Sequence, residues 1–350
     1  MNPVLEEDLL DICKSEIIDW RRFDHLSFFI SGITGFIGSL LVKTLYIASK
    51  QYGIQVNVTG LIRDRYKAEK VFSDLSDSDF FSLNLVEGDI RSDFLIDEPI
   101  DYVIHGASPT QSSFFINHPI ETIETLVSGT DNVLKLARDK RIKKMVYLSS
   151  MEVYGQPDKN KEEIKEADLG YIDPLSNRSS YSEGKRMCEC LCFSAANEFD
   201  LDISIARLAQ TFGPGIGLND NRIFMQFAKS VINEEDIVLH TRGLSEGNYV
   251  YSTDAIIGIL LLLQKGKNGE AYNIVNEESH TTIKDMAEMV EKNYGRSDTR
   301  VVYDLIDINR TGYAPDVRMK LSAGKIKNLG WNAEIGLDVS YKRLIEYLKK

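Results

Sequence analysis

Tyr181 and Lys185 stand four residues apart in Tyr181-Ser182-Glu183-Gly184-Lys185, a spacing that sets a phenol and an ammonium on one helix face. A neighbouring ammonium favours the phenolate and lowers a pKa that otherwise sits at about 10. The pair is therefore suited to proton transfer near neutral pH. Ser149 or Ser150, closing the apolar run 145–149, offers a hydroxyl to the same reacting oxygen. A second constellation, Gly32-Ile33-Thr34-Gly35-Phe36-Ile37-Gly38, follows the apolar run 26–31 and opens the amphipathic stretch 40–45. A strand, a glycine turn and a helix in that order cradle a pyrophosphate, because glycine lets the backbone approach the phosphates and the first helical amides carry partial positive charge. The ligand expected there is a dinucleotide. Beside a nicotinamide, the phenolate would take the proton of an alcohol or sugar hydroxyl as hydride leaves the same carbon, or return it in the reverse direction.

The elements that must position these groups alternate along the chain. Apolar strand-like runs at 56–62, 83–87, 102–105, 145–149 and 203–207 are separated by helical stretches such as 120–140. That alternation predicts a parallel sheet covered by helices on both faces. Ligands of such sheets bind at the carboxyl ends of the strands. The glycine turn, His105-Gly106-Ala107-Ser108 and Ser149-Ser150 all fall at such ends. An amphipathic helix in the first two dozen residues is expected to pack before the first strand. Beyond Phe212-Gly213-Pro214-Gly215 the pattern loosens into turns, with a helix expected at 223–232 and later cap segments at 281–293 and 337–348. The expected fold class is α/β: a Rossmann-type doubly wound parallel sheet with a smaller, discontinuous α/β C-terminal substrate domain. Residues 1–212 form the dinucleotide-binding domain, with 237–276 partly returning to it, and 213–236 and 277–350 form the cap.

The chain has 350 residues, 43% of them apolar, and a net charge of −12, which disfavours nucleic acid as a partner. It contains no apolar stretch of the roughly 20 residues that span a bilayer, and Glu6, Glu7, Asp8 and Asp11 occupy the place where a secretory signal carries positive charge. No membrane association is expected, and the expected compartment is the cytoplasm. Cys188, Cys190 and Cys192 match no common metal spacing and read as reduced helix residues, so no metal site is assigned.

Taken together, these segments resemble the extended short-chain dehydrogenase/reductases of the epimerase/dehydratase group, which act on nucleotide-activated sugars. The resemblance rests on 32–38, Gly88-Asp89-Ile90, 105–109, Ser149-Ser150-Met151-Glu152-Val153-Tyr154-Gly155, 181–185 and 207–214. Locally, Asn117-His118-Pro119-Ile120-Glu121-Thr122 and 178–186 are most similar to UDP-glucuronate decarboxylases. The resemblance implies that Ser150, Tyr181 and Lys185 form the catalytic triad, with Lys185 also holding the nicotinamide ribose. It places Gly32, Thr34, Gly35, Phe36, Ile37 and Gly38 on the pyrophosphate, Asp89 and Ile90 beside the adenine, and Ala107 and Ser108 against the cofactor. Ser108, Gln210, Arg222 and Arg242 are assigned to the substrate, Arg222 as a candidate for its diphosphate. Helices around 121–140 and 182–199 resemble those through which family members pair into homodimers.

Three departures bear on the reaction. The aspartate that usually ends the second strand and holds the adenosine ribose is replaced by Ile62, followed by Arg63 and Asp64. An arginine there suits a 2′-phosphate and favours NADP(H) over NAD(H). Met151 stands where sugar 4,6-dehydratases place an aspartic acid, although Glu152 matches their proton-abstracting glutamate. Gly247 replaces an arginine that grips the substrate. These features lean toward NADPH-linked reduction of a ketone on a nucleotide sugar or nucleotide-linked polyol. The alternative is a self-contained epimerase, dehydratase or decarboxylase with a resident NAD, and a remote one is a non-catalytic dinucleotide sensor.

Overall fold

The computed structural model describes residues 1–305 and 316–350. Its central sheet is built from β1 (Leu26–Ser31), β2 (Val56–Ile62), β3 (Phe81–Glu87), β4 (Tyr102–His105), β5 (Lys144–Ser150), β6 (Ile203–Leu208) and, much later in the chain, β11 (Ala271–Ile274). Spatially the order is β11-β6-β5-β4-β1-β2-β3, and every neighbouring pair is parallel. The order reverses at β1, so β1 and β4 frame the crevice in which doubly wound sheets bind ligands. The runs of Val, Ile and Phe in β1, β2 and β4 are buried on both faces, as a sheet covered on both sides requires.

One face is covered by α1 (Pro3–Cys13), α2 (Phe36–Tyr52) and α8 (Ser252–Lys265), the other by α4 (Ser112–Asn117), α5 (Pro119–Lys140) and α6 (Ser179–Glu198). The short α3 (Arg65–Val71) follows β2, capped by the Asp64 carboxylate, which accepts from the Lys67 amide at 2.9 Å. The expected N-terminal helix is α1. It buries Leu5, Leu9 and Ile12, and its Asn2 side chain caps the amide of Val4.

The remaining elements form three small two-stranded sheets and their helices. β7 (Gln210–Phe212) pairs with β10 (Tyr249–Tyr251), β8 (Ile237–Leu239) with β13 (Val301–Tyr303), and β9 (Glu246–Gly247) with β12 (Thr281–Thr282). α7 (Ile223–Ile232), α9 (Ile283–Tyr294) and α10 (Leu337–Leu348) enclose a third hydrophobic cluster around Phe212, Phe224, Met286 and Tyr341. Ile237–Leu239 pairs with a late strand rather than with the main sheet. The chain rejoins the main body at α8, which packs on β5 and β6, and at β11, which extends the sheet beside β6.

Candidate active site

The glycine turn shows why it needs glycine. Gly32 has φ +69°, a left-handed conformation. A Cβ on Gly38 would lie 2.4 Å from the Gly32 carbonyl oxygen, and one on Gly32 would lie 2.9 Å from the backbone of Gly106 and Ala107. The turn therefore packs directly against the end of β4. Gly35 caps α2 without any side-chain bond, leaving the first amides of a 17-residue helix to an incoming acceptor. These features fit a dinucleotide's pyrophosphate at Gly32–Gly38. Thr34, Phe36 and Ile37 lie in the same turn, with Phe36 and Ile37 packed against the core beneath it.

A buried relay holds the two strand ends together. The amides of Gly106 and Ala107 donate to Ser31 Oγ at 3.1 and 3.2 Å, and Ser31 Oγ lies 2.6 Å from His105 Nδ1. With both amides donating to it, Ser31 gives its own proton to Nδ1, and Nε2–H then donates to Thr130 Oγ1 at 3.0 Å. His105 is thus neutral, and burial, followed by the charge of Lys185, pushes its pKa down to about 3. Gly106 and Ala107, the residues just before Ser108, are set in place by this relay.

Tyr181, in the first turn of α6, is buried and stacks on Phe115 of α4 at 5.1 Å between ring centres. Ser150, at the end of β5, and Ser108 lie close enough to its hydroxyl to oppose the effect of burial on it. Ser149 turns the other way and donates to Glu189 at 2.5 Å, so of the two serines Ser150 is the one that meets the phenol. Lys185 Nζ donates to the Leu148 carbonyl at 2.7 Å and lies 5.8 Å from the centre of the Tyr181 ring. Burial lowers its pKa to about 8. The phenol does not show the depression that the Tyr–Lys spacing alone suggests. Burial raises it to about 12, against the contrary pull of Ser150, Arg222 and Ser108. Desolvation wins because the ammonium is engaged with a main-chain carbonyl and the ring is enclosed.

The charged groups around the phenol are less enclosed. The negative charge of Glu152 and the positive charge of Arg222 both reach Tyr181. Glu152 sits in a 3-10 turn capped by Ser150 and lies 3.9 Å from Arg178, the residue preceding α6. Arg178 in turn lies over Phe115 at 5.6 Å. Arg222, the cap residue of α7, holds Asp220 through two nitrogens and lies over Phe224.

The other assigned residues spread outward. Ile90 is buried against Gly129, and its carbonyl accepts from Asn132. Asp89 is clasped by Arg91, whose hydrogen bonds hold its carboxyl below the usual range. Arg63 is exposed at the end of β2 and makes no hydrogen bond or ion pair among the described residues. Gln210 begins β7, opposite Tyr249. Arg242 is exposed in the loop between β8 and β9, and no contact joins it to the Tyr181 cluster. Around Gly247 a side chain would meet open space. Three residues not singled out in the sequence also belong here: Arg178, Glu189 and Arg207. Arg178 and Arg207 begin segments that carry the family resemblance, and Glu189 stands four residues beyond Lys185 on the same helix face.

The model of the NAD dependent epimerase/dehydratase family matches residues 28–275. UDP-glucuronic acid decarboxylase 1 of Xenopus tropicalis is 26% identical over 93% of this chain and 73% of its own length. dTDP-D-glucose 4,6-dehydratase of Bos taurus is 25% identical over 92% of this chain and 88% of its own. In fold, the chain is similar to UDP-glucuronic acid 4-epimerase of Bacillus cereus, whose structure contains UDP-glucuronic acid and NAD. The TM-score is 0.75 at 22% identity, covering 93% of this chain and 99% of that one.

Proposed function

The chain belongs to the NAD dependent epimerase/dehydratase family, and from that premise we propose that it is a self-contained nucleotide-sugar enzyme. On this reading it oxidises a sugar carbon, rearranges the transient ketone and re-reduces it on a nicotinamide kept in the site. The observation that carries it is the link between two acid–base groups: Glu152, just past the end of β5, lies 3.9 Å from Arg178, and Arg178 lies over Phe115, the ring on which Tyr181 stacks. A simple ketone reductase needs only the phenol. A carboxylate beside it supplies a base for a proton next to the ketone.

A nicotinamide bound over the glycine turn supplies a hydride acceptor and, when oxidised, a positive charge. As the phenolate, which that positive charge would favour, Tyr181 would take the proton from the substrate hydroxyl and later return it, with Ser150 and Ser108 beside the same oxygen. Lys185 and its carbonyl partner fix the phenol's side of the cleft. Glu152, with Arg178 3.9 Å away, moves a carbon-bound proton. Arg222 attracts the anionic part of the substrate.

A second reading, NADPH-linked reduction, has one specific observation in its favour. Asp64 caps α3 through one carboxylate oxygen, while Arg63 beside it makes no hydrogen bond or ion pair among the described residues and offers its charge to the adenosine ribose. The names of the relatives do not point to it, and NAD is the cofactor named with the Bacillus cereus structure. Incubating the purified protein with nucleotide sugars, while following nicotinamide absorbance and product mass, separates the readings. Internal redox converts sugar without net change in absorbance. Consumption of one NADPH per product, with full turnover retained in Glu152→Gln, would overturn it.

The same reading places a homodimer contact on α5 and α6, where Ile120, Ile123, Met187 and Phe193 are exposed. It places the enzyme in the cytoplasm; no described helix is long and apolar enough to cross a membrane. Light scattering on the eluted protein tests the dimer.

A further inference from the structure

Of the residues of α4, Phe115 is the one that is buried. It meets the start of α6 three times. Its ring stacks on Tyr181, 5.1 Å between centres and 16° from parallel, and its carbonyl accepts from the buried Ser180 hydroxyl at 3.0 Å. The guanidinium of Arg178, the residue before α6, lies over the same ring at 5.6 Å.

The phenol's direction is set by the plane of its ring, and a catalytic group works only within about 10–20° of its productive direction. A second ring packed nearly parallel on the first resists tilting, because a tilt drives one ring edge into the other. α4 also closes the loop 108–111. The loop's other end follows Gly106 and Ala107, whose amides are tied to Ser31 of β1. The segment bearing Ser108 is therefore anchored to the sheet at one end and to the Tyr181 ring, through Phe115, at the other.

We propose that Phe115 is a positioning residue for Tyr181, the platform that holds the phenol's plane and ties it to the Ser108 loop. It acts through the tyrosine and not on the reacting atoms. This role rests on the catalytic reading of Tyr181 given above and adds a residue which that reading does not use for catalysis. A side chain that only fills the core requires neither the parallel stack nor the bond from Ser180, the residue next to the phenol.

The first arm of the test needs no ligand. The full-length protein is labelled with 3-fluorotyrosine, and the Tyr181 signals are identified by their loss in Tyr181→Phe. A ring held in one plane gives two fluorine signals, one for each flip state, and two are expected in the parent. Methionine replaces most of the volume of phenylalanine without a ring face, so a mere filler leaves two signals in Phe115→Met, whereas loss of the platform merges them. A single signal in the parent, or two in a folded Phe115→Met, overturns the proposal whatever the enzyme acts on. Should that variant fail to fold, Ser180→Ala removes the main-chain tie and keeps both rings; broadened signals are expected, and unchanged ones overturn it. The second arm follows turnover with whichever nucleotide sugar the assay above finds; if it finds none, that reading fails while the fluorine signals still judge this one. In Phe115→Met kcat falls about 10- to 100-fold, as a misplaced group produces, with dinucleotide affinity unchanged. In a Tyr181→Phe background the same substitution costs nothing further. An unchanged kcat, or an equal fall in that background, overturns the proposal.

Discussion

On one side of the Tyr181 phenol stand Lys185, His105 and Ser31, all buried: Lys185 is tied to the main chain of β5, Ser31 to the amides just beyond β4, and His105 to Ser31 and Thr130. On the other side stand Glu152, Arg178 and Arg222, half-exposed and paired only with other side chains. Hydrogen bonds to backbone fix a group to the fold itself, whereas partly solvated ion pairs contribute little and rearrange easily. On the proposed reading the first is the cofactor side, set by the sheet, and the second the sugar side, which a few substitutions can alter without disturbing it. Relatives that share the fold yet carry out decarboxylation, dehydration and epimerisation fit this division.

The comparison breaks most sharply at the phenol. Tyr181→Phe keeps the stack on Phe115 but removes the proton carrier, and turnover should fall by roughly 10²- to 10⁴-fold. Nucleotide binding, followed by calorimetry, should persist. Gly38→Ala should come next. Its Cβ would lie 2.4 Å from a backbone oxygen, so we expect a cost of about 1–3 kcal/mol in denaturant unfolding and a clear loss of dinucleotide affinity.

A third prediction concerns His105. Because its folded pKa is depressed to about 3, its contribution to stability is present above the unfolded value of about 6.5 and is lost as pH falls below it, by about 1.4 kcal/mol per pH unit. His105→Gln should remove that part of the slope in thermal unfolding between pH 6.5 and 4. An identical slope would show that the buried relay does not hold a neutral imidazole.

On the sugar side the effects should be smaller and should read out in reaction rather than in folding. Arg178→Met should lower turnover while leaving the melting temperature nearly unchanged, and its effect should vanish in a Glu152→Gln background if the arginine acts through the glutamate. Gly247→Arg enters open space and should change stability by no more than about 0.5 kcal/mol. A gain in affinity for a sugar carrying a carboxylate would confirm that this side is free to be retuned.

Much of the cofactor side was legible without coordinates. Glycines at 32, 35 and 38 between an apolar run and a helix fix a local backbone problem with few solutions, and the Tyr181–Lys185 spacing fixes a shared helix face. The strands were legible for the same reason, since a parallel sheet buried on both faces demands unbroken apolar runs. The cap was harder. Its strands are two or three residues long, and Ile237–Leu239 finds its partner more than sixty residues away, a pairing that periodicity does not encode.

By itself the amino-acid sequence determined the local units: where a strand must be buried, where only glycine fits, and which side chains share a helical face. The tertiary structure alone decided the balance of forces between them. It turned Ser149 to Glu189 and Ser150 to the phenol, raised the tyrosine by enclosure where spacing alone suggested a fall, and brought Arg207 from β6 onto the glutamate of α6. Desolvation and long-range pairing depend on what the whole chain places around a group, and that information resides in no single stretch of residues.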